Sequence, residues 1–370
     1  MVWRITQNKE WDNLVKQFAW VADMESVSQH EKLHAEGNVA IHTQMVLNEL
    51  IKLNEYTELS EQDQEILWAA ALLHDVEKRS TSQDDGYGNI SANGHARKGE
   101  RTVRTILYRD IPTPFRIREI IATLVRYHGL PLWLMEKLEP AKRIHGISLR
   151  VDTRFLKLLA EADAKGRKYE DVKSLTDSLD LFELFCKEEG CWGKSLDFVT
   201  PNARFQYFNT IDGYIGYVPS DDFKSEVIML SGLPGMGKDD YIQSLKTDMP
   251  VISLDGIRRK HKYSQTDKIA TARVVQEAKE QARIYLRKGQ NFIWNATNIT
   301  SLMRQQLVDL FTLYGAKVKI VYIEKPYDTW RLQNKNREMP LSEDVLDKML
   351  SKLEVPLLIE AHEVEYMVES

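Results

Sequence analysis

Apolar residues recur at three- and four-residue spacing through most of residues 10–170, as in Met45-Val-Leu-Asn-Glu-Leu-Ile51 and Ile66-Leu-Trp-Ala-Ala-Ala-Leu-Leu73. This period predicts helix after helix, and nothing in the stretch alternates as a strand does. Ser82–Gly94 has three glycines among polar residues and reads as a loop, and Asp110-Ile-Pro-Thr-Pro114 is a second break.

From Glu226 the pattern changes. Short apolar runs at Val227–Leu230, Pro250–Leu254, Phe292–Trp294 and Val318–Ile323 alternate with helical stretches at Asp267–Lys288 and Ser301–Tyr314. Strands alternating with helices predict a parallel sheet covered on both faces. Residues 200–225 carry Pro201, Asn202, Gly213, Gly216 and Pro219 and read as a connector with a short strand pair. The expected organisation is an all-α domain over 1–199, a connector over 200–225 and an α/β phosphate-loop domain over 226–370.

The first α/β strand runs directly into Gly232-Leu-Pro234-Gly235-Met-Gly237-Lys238, the spacing of a phosphate loop. A strand, a glycine-rich turn and a helix start place backbone N–H groups and the positive end of the helix dipole around a polyphosphate, with Lys238 reaching its outer phosphates. Asp239 stands where a Ser or Thr hydroxyl usually meets Mg²⁺. The second strand leads into Asp255-Gly-Ile-Arg258, at the sheet edge where ligands bind. Asp255 suits a general base taking the proton of a hydroxyl acceptor, and equally an N-cap. Arg258 suits an acceptor phosphate. Arg331, Lys335 and Arg337 can share a helical face, as a lid over the phosphates or as a solvated basic surface. The order of phosphate loop, Leu-Asp255-Gly-Ile-Arg258, Asn-Ala-Thr297-Asn298 and basic lid resembles the polynucleotide 5′-kinase family of P-loop phosphotransferases. That resemblance implies ATP or GTP with Mg²⁺, a 5′-hydroxyl acceptor, Asp255 as base, Arg258 on the neighbouring phosphate, and Arg337 or Arg331 in the lid.

Seven of the nine histidines precede residue 150. His74-Asp75 follows an apolar helical run, so imidazole and carboxylate can meet on one divalent ion. His42 and Asp163 lie on other predicted helices, and His95 and His128 stand beside glycines. This order resembles the HD phosphohydrolase superfamily, an all-α metal-dependent fold, over residues 30–170. The resemblance implies His42, His74, Asp75 and Asp163 around a first transition-metal ion, with His95 and His128 on a second ion or on substrate phosphate. His30 and His34 are near enough to compete with His42.

Net charge changes little: 50 Lys+Arg against 55 Asp+Glu give −5, which is no global nucleic-acid footprint, although Arg258–Lys262 is locally basic. Cys186 and Cys191 fit no metal or redox spacing, and no apolar run approaches a membrane span, so a cytoplasmic protein without a membrane partner is expected. An HD module followed by a polynucleotide-kinase-like module resembles the bacterial HD-Pnk proteins. That implies RNA or DNA ends as substrates: 2′,3′-cyclic, 2′- or 3′-phosphate removal, 5′-hydroxyl phosphorylation, and a strand-sealing ligase in the same pathway. The same residues also suit a nucleotide or second-messenger phosphohydrolase fused to a small-molecule kinase. A regulatory switch expects a base-recognition Asp that Asn334-Lys-Asn-Arg337 lacks. Phe205, Tyr207 and Phe208 suit base stacking or core packing.

Overall fold

A computed structural model describes residues 2–29, 37–87, 89–167, 172–264, 267–337 and 340–369. His30 and His34 lie outside the described residues. The chain divides into two compact units, Met1–Asp197 and Phe198–Ser370.

The first unit is helical. Its principal helices are α1 (Trp11–Gln17), α2 (Val39–Leu50), α3 (Glu61–Leu73), α4 (His95–Thr105), α5 (Phe115–Tyr127), α6 (Pro140–Ser148), α7 (Thr153–Lys165) and α8 (Val172–Glu188). Side chains fix their starts: Asn38 accepts from the Ile41 N–H, Ser60 from Asp63 and Asp152 from Arg154. Helix α3 is buried at every residue from Glu65 to Leu73, as a helix does when it runs through the middle of a core. It packs against α2, α5 and α7. Gly166, which ends α7, lets α7 come close to α2: a Cβ there would stand 2.7 Å from the Val46 side chain and 2.9 Å from its backbone nitrogen. The expected loop after Ser82 contains a two-residue antiparallel ribbon, β1 (Gln83–Asp84) with β2 (Ile90–Ser91).

The second unit opens with a helix, α9 (Pro201–Asn209), where a short strand pair was expected. Thr200 accepts from the Ala203 N–H and Pro201 fills the first turn, so residues that read as breakers are a helix start. Arg204 ties this helix to the carbonyls of Leu358 and His362. Phe205 and Tyr207 are buried, which answers the choice between stacking and packing for those two.

Beyond it lie β3 (Ser225–Ser231), α10 (Lys238–Ser244), β4 (Val251–Ser253), α11 (Leu254–Lys260), α12 (Lys268–Arg287), β5 (Phe292–Asn295), α13 (Ser301–Leu313), β6 (Ala316–Glu324), α14 (Tyr327–Lys335), α15 (Glu343–Leu350) and β7 (Glu363–Val368). The five strands form one parallel sheet in the order β4-β5-β3-β6-β7. The phosphate-loop strand β3 is therefore central, and the ends of β4 and β5 lie on one side of it. The edge strand β7 was not foreseen. Lys317 and Lys319 on β6 pair with Glu363 and Glu365 across the register, and such charge on an edge hides the apolar signal.

Candidate active sites

In the helical unit, the ends of α3 and α5, the start of α4 and one face each of α2 and α7 converge. His74 and His128 follow the last residues of α3 and α5, and His95 begins α4. Each donates its Nδ1–H to the carbonyl three residues earlier: His74 to Ala71 at 2.7 Å, His95 to Ala92 at 2.7 Å and His128 to Val125 at 2.9 Å. His42 Nδ1 lies 3.3 Å from the Gly166 carbonyl. A carbonyl only accepts, so every Nδ1 carries a proton, and it is Nε2 of the neutral ring that offers a lone pair.

Those lone pairs face one another. His42 Nε2 is 3.4 Å from His74 Nε2, and His95 Nε2 is 3.5 Å from His128 Nε2. Two acceptors at such distances repel unless a cation shares them. Asp163 Oδ1 lies 3.1 Å from His42 Nε2, completing one group of ligand atoms with His74. Asp75 joins both groups: Oδ2 is 3.2 Å from His74 Nε2, while Oδ1 is 3.4 Å from His95 Nε2. Asp75 Oδ1 has no hydrogen-bond partner among the described residues although Asp75 is buried. An orphaned carboxylate oxygen among imidazole lone pairs fits divalent metal, and the N/O donor set suits transition ions. His42, His74, Asp75 and Asp163 would hold one ion and Asp75, His95 and His128 a second. The six residues singled out in the sequence thus form one cluster.

Charge around the cluster keeps the carboxylates ionised. Burial would raise the Asp163 carboxyl, but Arg167, with Nη2 2.5 Å from Oδ2, and His42 hold it well below the ordinary carboxylate value. Asp75 is likewise held down against burial, by Lys78 at 2.7 Å together with His74 and His95. Burial pushes His128 down to about 3. The cluster opens on a cavity of about 850 Å³ whose lining carries Lys78, Arg126, Lys137, Arg143 and Arg167, with Asp75 the one carboxylate among the described residues. Sequence reasoning missed these cations. Only Lys78 and Arg167 left a signal, one helical turn beyond Asp75 and Asp163.

In the α/β unit, the loop from Gly232 to Gly237 joins β3 to α10. Gly232 has φ 153° and passes the β6 backbone so closely that a Cβ would meet the Ile323 carbonyl at 2.5 Å. The segment after β5 braces the loop: Gly232 N–H donates to the Thr297 carbonyl at 2.9 Å and Asn298 Nδ2 to the Leu230 carbonyl at 2.7 Å. Trp330 Nε1–H caps the Pro234 carbonyl at 2.8 Å. Lys238 folds over its own loop, donating to the carbonyls of Gly232 and Leu233 at 3.0 and 2.8 Å. Burial pushes its ammonium down to about 8 although Asp255 and Asp239 favour the charge.

Asp255 lies in the first turn of α11 and is exposed. The N-cap of that helix is Ser253, whose Oγ accepts from the Gly256 N–H at 3.1 Å, so the capping alternative for Asp255 falls away. Two guanidinium nitrogens here are buried without a hydrogen-bond partner among the described residues, Arg258 Nε and Arg337 Nη1. Arg337 also acts electrostatically on Lys238. Arg331 is placed otherwise: it pairs with Glu343 at 2.7 Å and Asp347 at 3.5 Å and stacks over Tyr327.

No helix among the described residues is long and apolar enough to cross a membrane. Two solved structures are similar to part of the chain. A kinase from Chloroflexus aurantiacus J-10-fl is 18% identical over 40% of this chain and 86% of its own, at a TM-score of 0.35. A sugar kinase from Janibacter sp. HTCC2649 is 15% identical over 39% of this chain and 84% of its own, at 0.29. At those scores neither carries an argument. Residues 39–166 match the HD domain model and residues 227–356 the AAA domain model. The chain therefore joins a helical HD domain to a P-loop domain built on a five-stranded parallel sheet.

Proposed function

We propose that this chain heals nucleic-acid ends: its HD domain removes 2′,3′-cyclic, 2′- or 3′-phosphate, and its P-loop domain transfers the γ-phosphate of ATP or GTP to a 5′-hydroxyl. The observation that carries the reading is the lining of the HD cavity. Among the described residues five Lys and Arg line it with one carboxylate; Lys78 and Arg167 are engaged with Asp75 and Asp163, and Arg126, Lys137 and Arg143 add charge beyond the ligand cluster, which suits a phosphorylated strand end bearing further backbone charge.

In the HD domain, bound divalent ions supply positive charge and a lowered water pKa for attack on phosphorus. The histidines, fixed through Nδ1, keep Nε2 directed at those ions, and Lys78 and Arg167 keep Asp75 and Asp163 charged. Cations at the cavity wall draw in the phosphorylated end and offset charge as the phosphoester breaks.

In the P-loop domain the backbone of Gly232, Gly235 and Gly237 cradles the polyphosphate, and Lys238 moves from the loop carbonyls onto it. Asp255 accepts the proton of the 5′-hydroxyl, Arg258 holds the phosphate next to that hydroxyl, and Arg337 meets the charge on the group in transfer. A strand-sealing ligase would consume the products.

The test is incubation with γ-labelled nucleoside triphosphate and RNA or DNA oligonucleotides carrying a 5′-hydroxyl and a 3′-phosphate, with a nucleoside in parallel. Label on the oligonucleotide, lost in Asp255→Asn, together with release of the 3′-phosphate, supports end healing. Label on the nucleoside alone would favour a small-molecule kinase beside a nucleotide or second-messenger phosphohydrolase.

A further inference from the structure

Gln29 is 5% exposed and precedes α2. Its backbone N–H donates to the Gly37 carbonyl at 3.1 Å, and Ser28 bridges to Asn38, so the segment is anchored beside the helix that carries His42. Its side-chain oxygen accepts from Lys78 Nζ at 2.6 Å. An ammonium group has no lone pair, so this contact fixes which end of the amide is oxygen and leaves the NH₂ turned elsewhere.

That NH₂ is buried and has no partner among the described residues, and Gln29 lines the HD cavity. Buried amide donors are almost always satisfied, so an unsatisfied one on a side chain that lines a cavity marks where an acceptor belongs. Lys78 donates in turn to Asp75 Oδ2 at 2.7 Å, which holds the donor one side chain from the ligand cluster. The cationic lining selects an anion, and a phosphoryl oxygen is an anionic acceptor of the right kind.

We infer that Gln29 binds substrate: its Nε2–H donates to a non-bridging oxygen of the phosphoryl group at the HD site. This rests on the phosphohydrolase reading of that cavity. The test uses the full-length, metal-loaded protein with Gln29→Leu and Gln29→Glu. Inorganic phosphate is titrated by calorimetry, kinetics are measured on a 3′-phosphorylated oligonucleotide, and metal content and melting temperature are recorded.

Both variants are expected to bind phosphate about tenfold or more weakly and to raise KM more than they lower kcat, with metal content unchanged. The Gln29→Glu change keeps an acceptor for Lys78 while removing the donor. Phosphate affinity equal to the parent's in that variant would overturn the inference and leave the amide as a prop for Lys78. Loss of metal in step with phosphate affinity would overturn it too, by making Gln29 a support of Asp75. Failure of the phosphohydrolase reading itself looks different: the parent protein binds phosphate, Gln29 still matters to that binding, and no phosphoester is hydrolysed.

Discussion

Asn295, the last residue of β5, donates its side-chain amide to the Asp239 carboxylate at 2.7 Å. Asp239 is the residue that departs from the usual phosphate loop, and this contact anchors its charge in the first turn of α10, where the helix dipole favours it. Mg²⁺ binds through one or two carboxylates together with substrate phosphates, so an anchored Asp can serve where a hydroxyl usually does. Replacing Asp239 by Ala is expected to raise the Mg²⁺ concentration for half-maximal phosphate transfer about tenfold, and Asp239→Ser to recover part of the loss. The check is a Mg²⁺ titration at fixed triphosphate. Superimposable curves for the parent and Asp239→Ala would remove the carboxylate from the Mg²⁺ site.

Arg337 and Arg331 both read as lid residues, and the structure separates them. Arg337 keeps a guanidinium nitrogen with no partner among the described residues and acts on Lys238, while Arg331 is paired with Glu343 and Asp347. Arg337→Ala is expected to lower kcat for phosphate transfer about 10²–10³-fold, the range seen on removing one preorganised transition-state donor. Arg331→Ala is expected to change kcat less than threefold or so, since its guanidinium is turned to the exposed Glu343 and Asp347. Steady-state kinetics on a 5′-hydroxyl oligonucleotide compare the two, and the reverse ranking would return Arg331 to the lid.

The two domains carry separate chemistries on separate residues. His74→Ala combined with Asp75→Ala removes ligands from both groups of the HD cluster, because Asp75 spans them. Release of 3′-phosphate is expected to fall below detection while 5′-phosphorylation stays within about twofold of the parent, as for sites that share no residues. Loss of both activities from this variant, with an intact melting profile for the P-loop domain, would contradict independent sites.

Much of this was legible in the sequence, for physical reasons that also mark where legibility ends. Helix α3 was legible as an unbroken apolar run because it is buried all round, and glycine spacing survives in the phosphate loop because a Cβ at Gly232 would strike Ile323. The His and Asp of the HD cluster were readable as residue types in order. The meeting of Asp163 with His42 was not, because it depends on Gly166 letting α7 approach α2. The helix α9 was missed because Thr200-Pro201 is both a breaker and an excellent start. Gln29 and Arg143 left no sequence signal: nothing in their spacing separates a cavity wall from ordinary polar surface.

Burial, with His74 and His95 nearby, pushes His128 down to about 3 from an ordinary 6.5, while Asp75 and Asp163 oppose the shift only in part. Between those two values the unfolded chain binds a proton that the folded chain refuses. Stability of the metal-free protein therefore rises with pH through this window, and is lost as pH falls from about 6.5 toward 3. The whole shift is worth on the order of 5 kcal/mol, and ions bound to the neutral ring steepen the slope. Asp75 and Asp163, held well below 3.8, act in the same direction but only at lower pH, so the two contributions separate. Denaturant melts of the chelated protein from pH 7.5 to about 4.5 are expected to show a fall in HD-domain stability that His128→Gln flattens. Parallel pH slopes for the parent and His128→Gln would show that the ring is not held neutral by its burial.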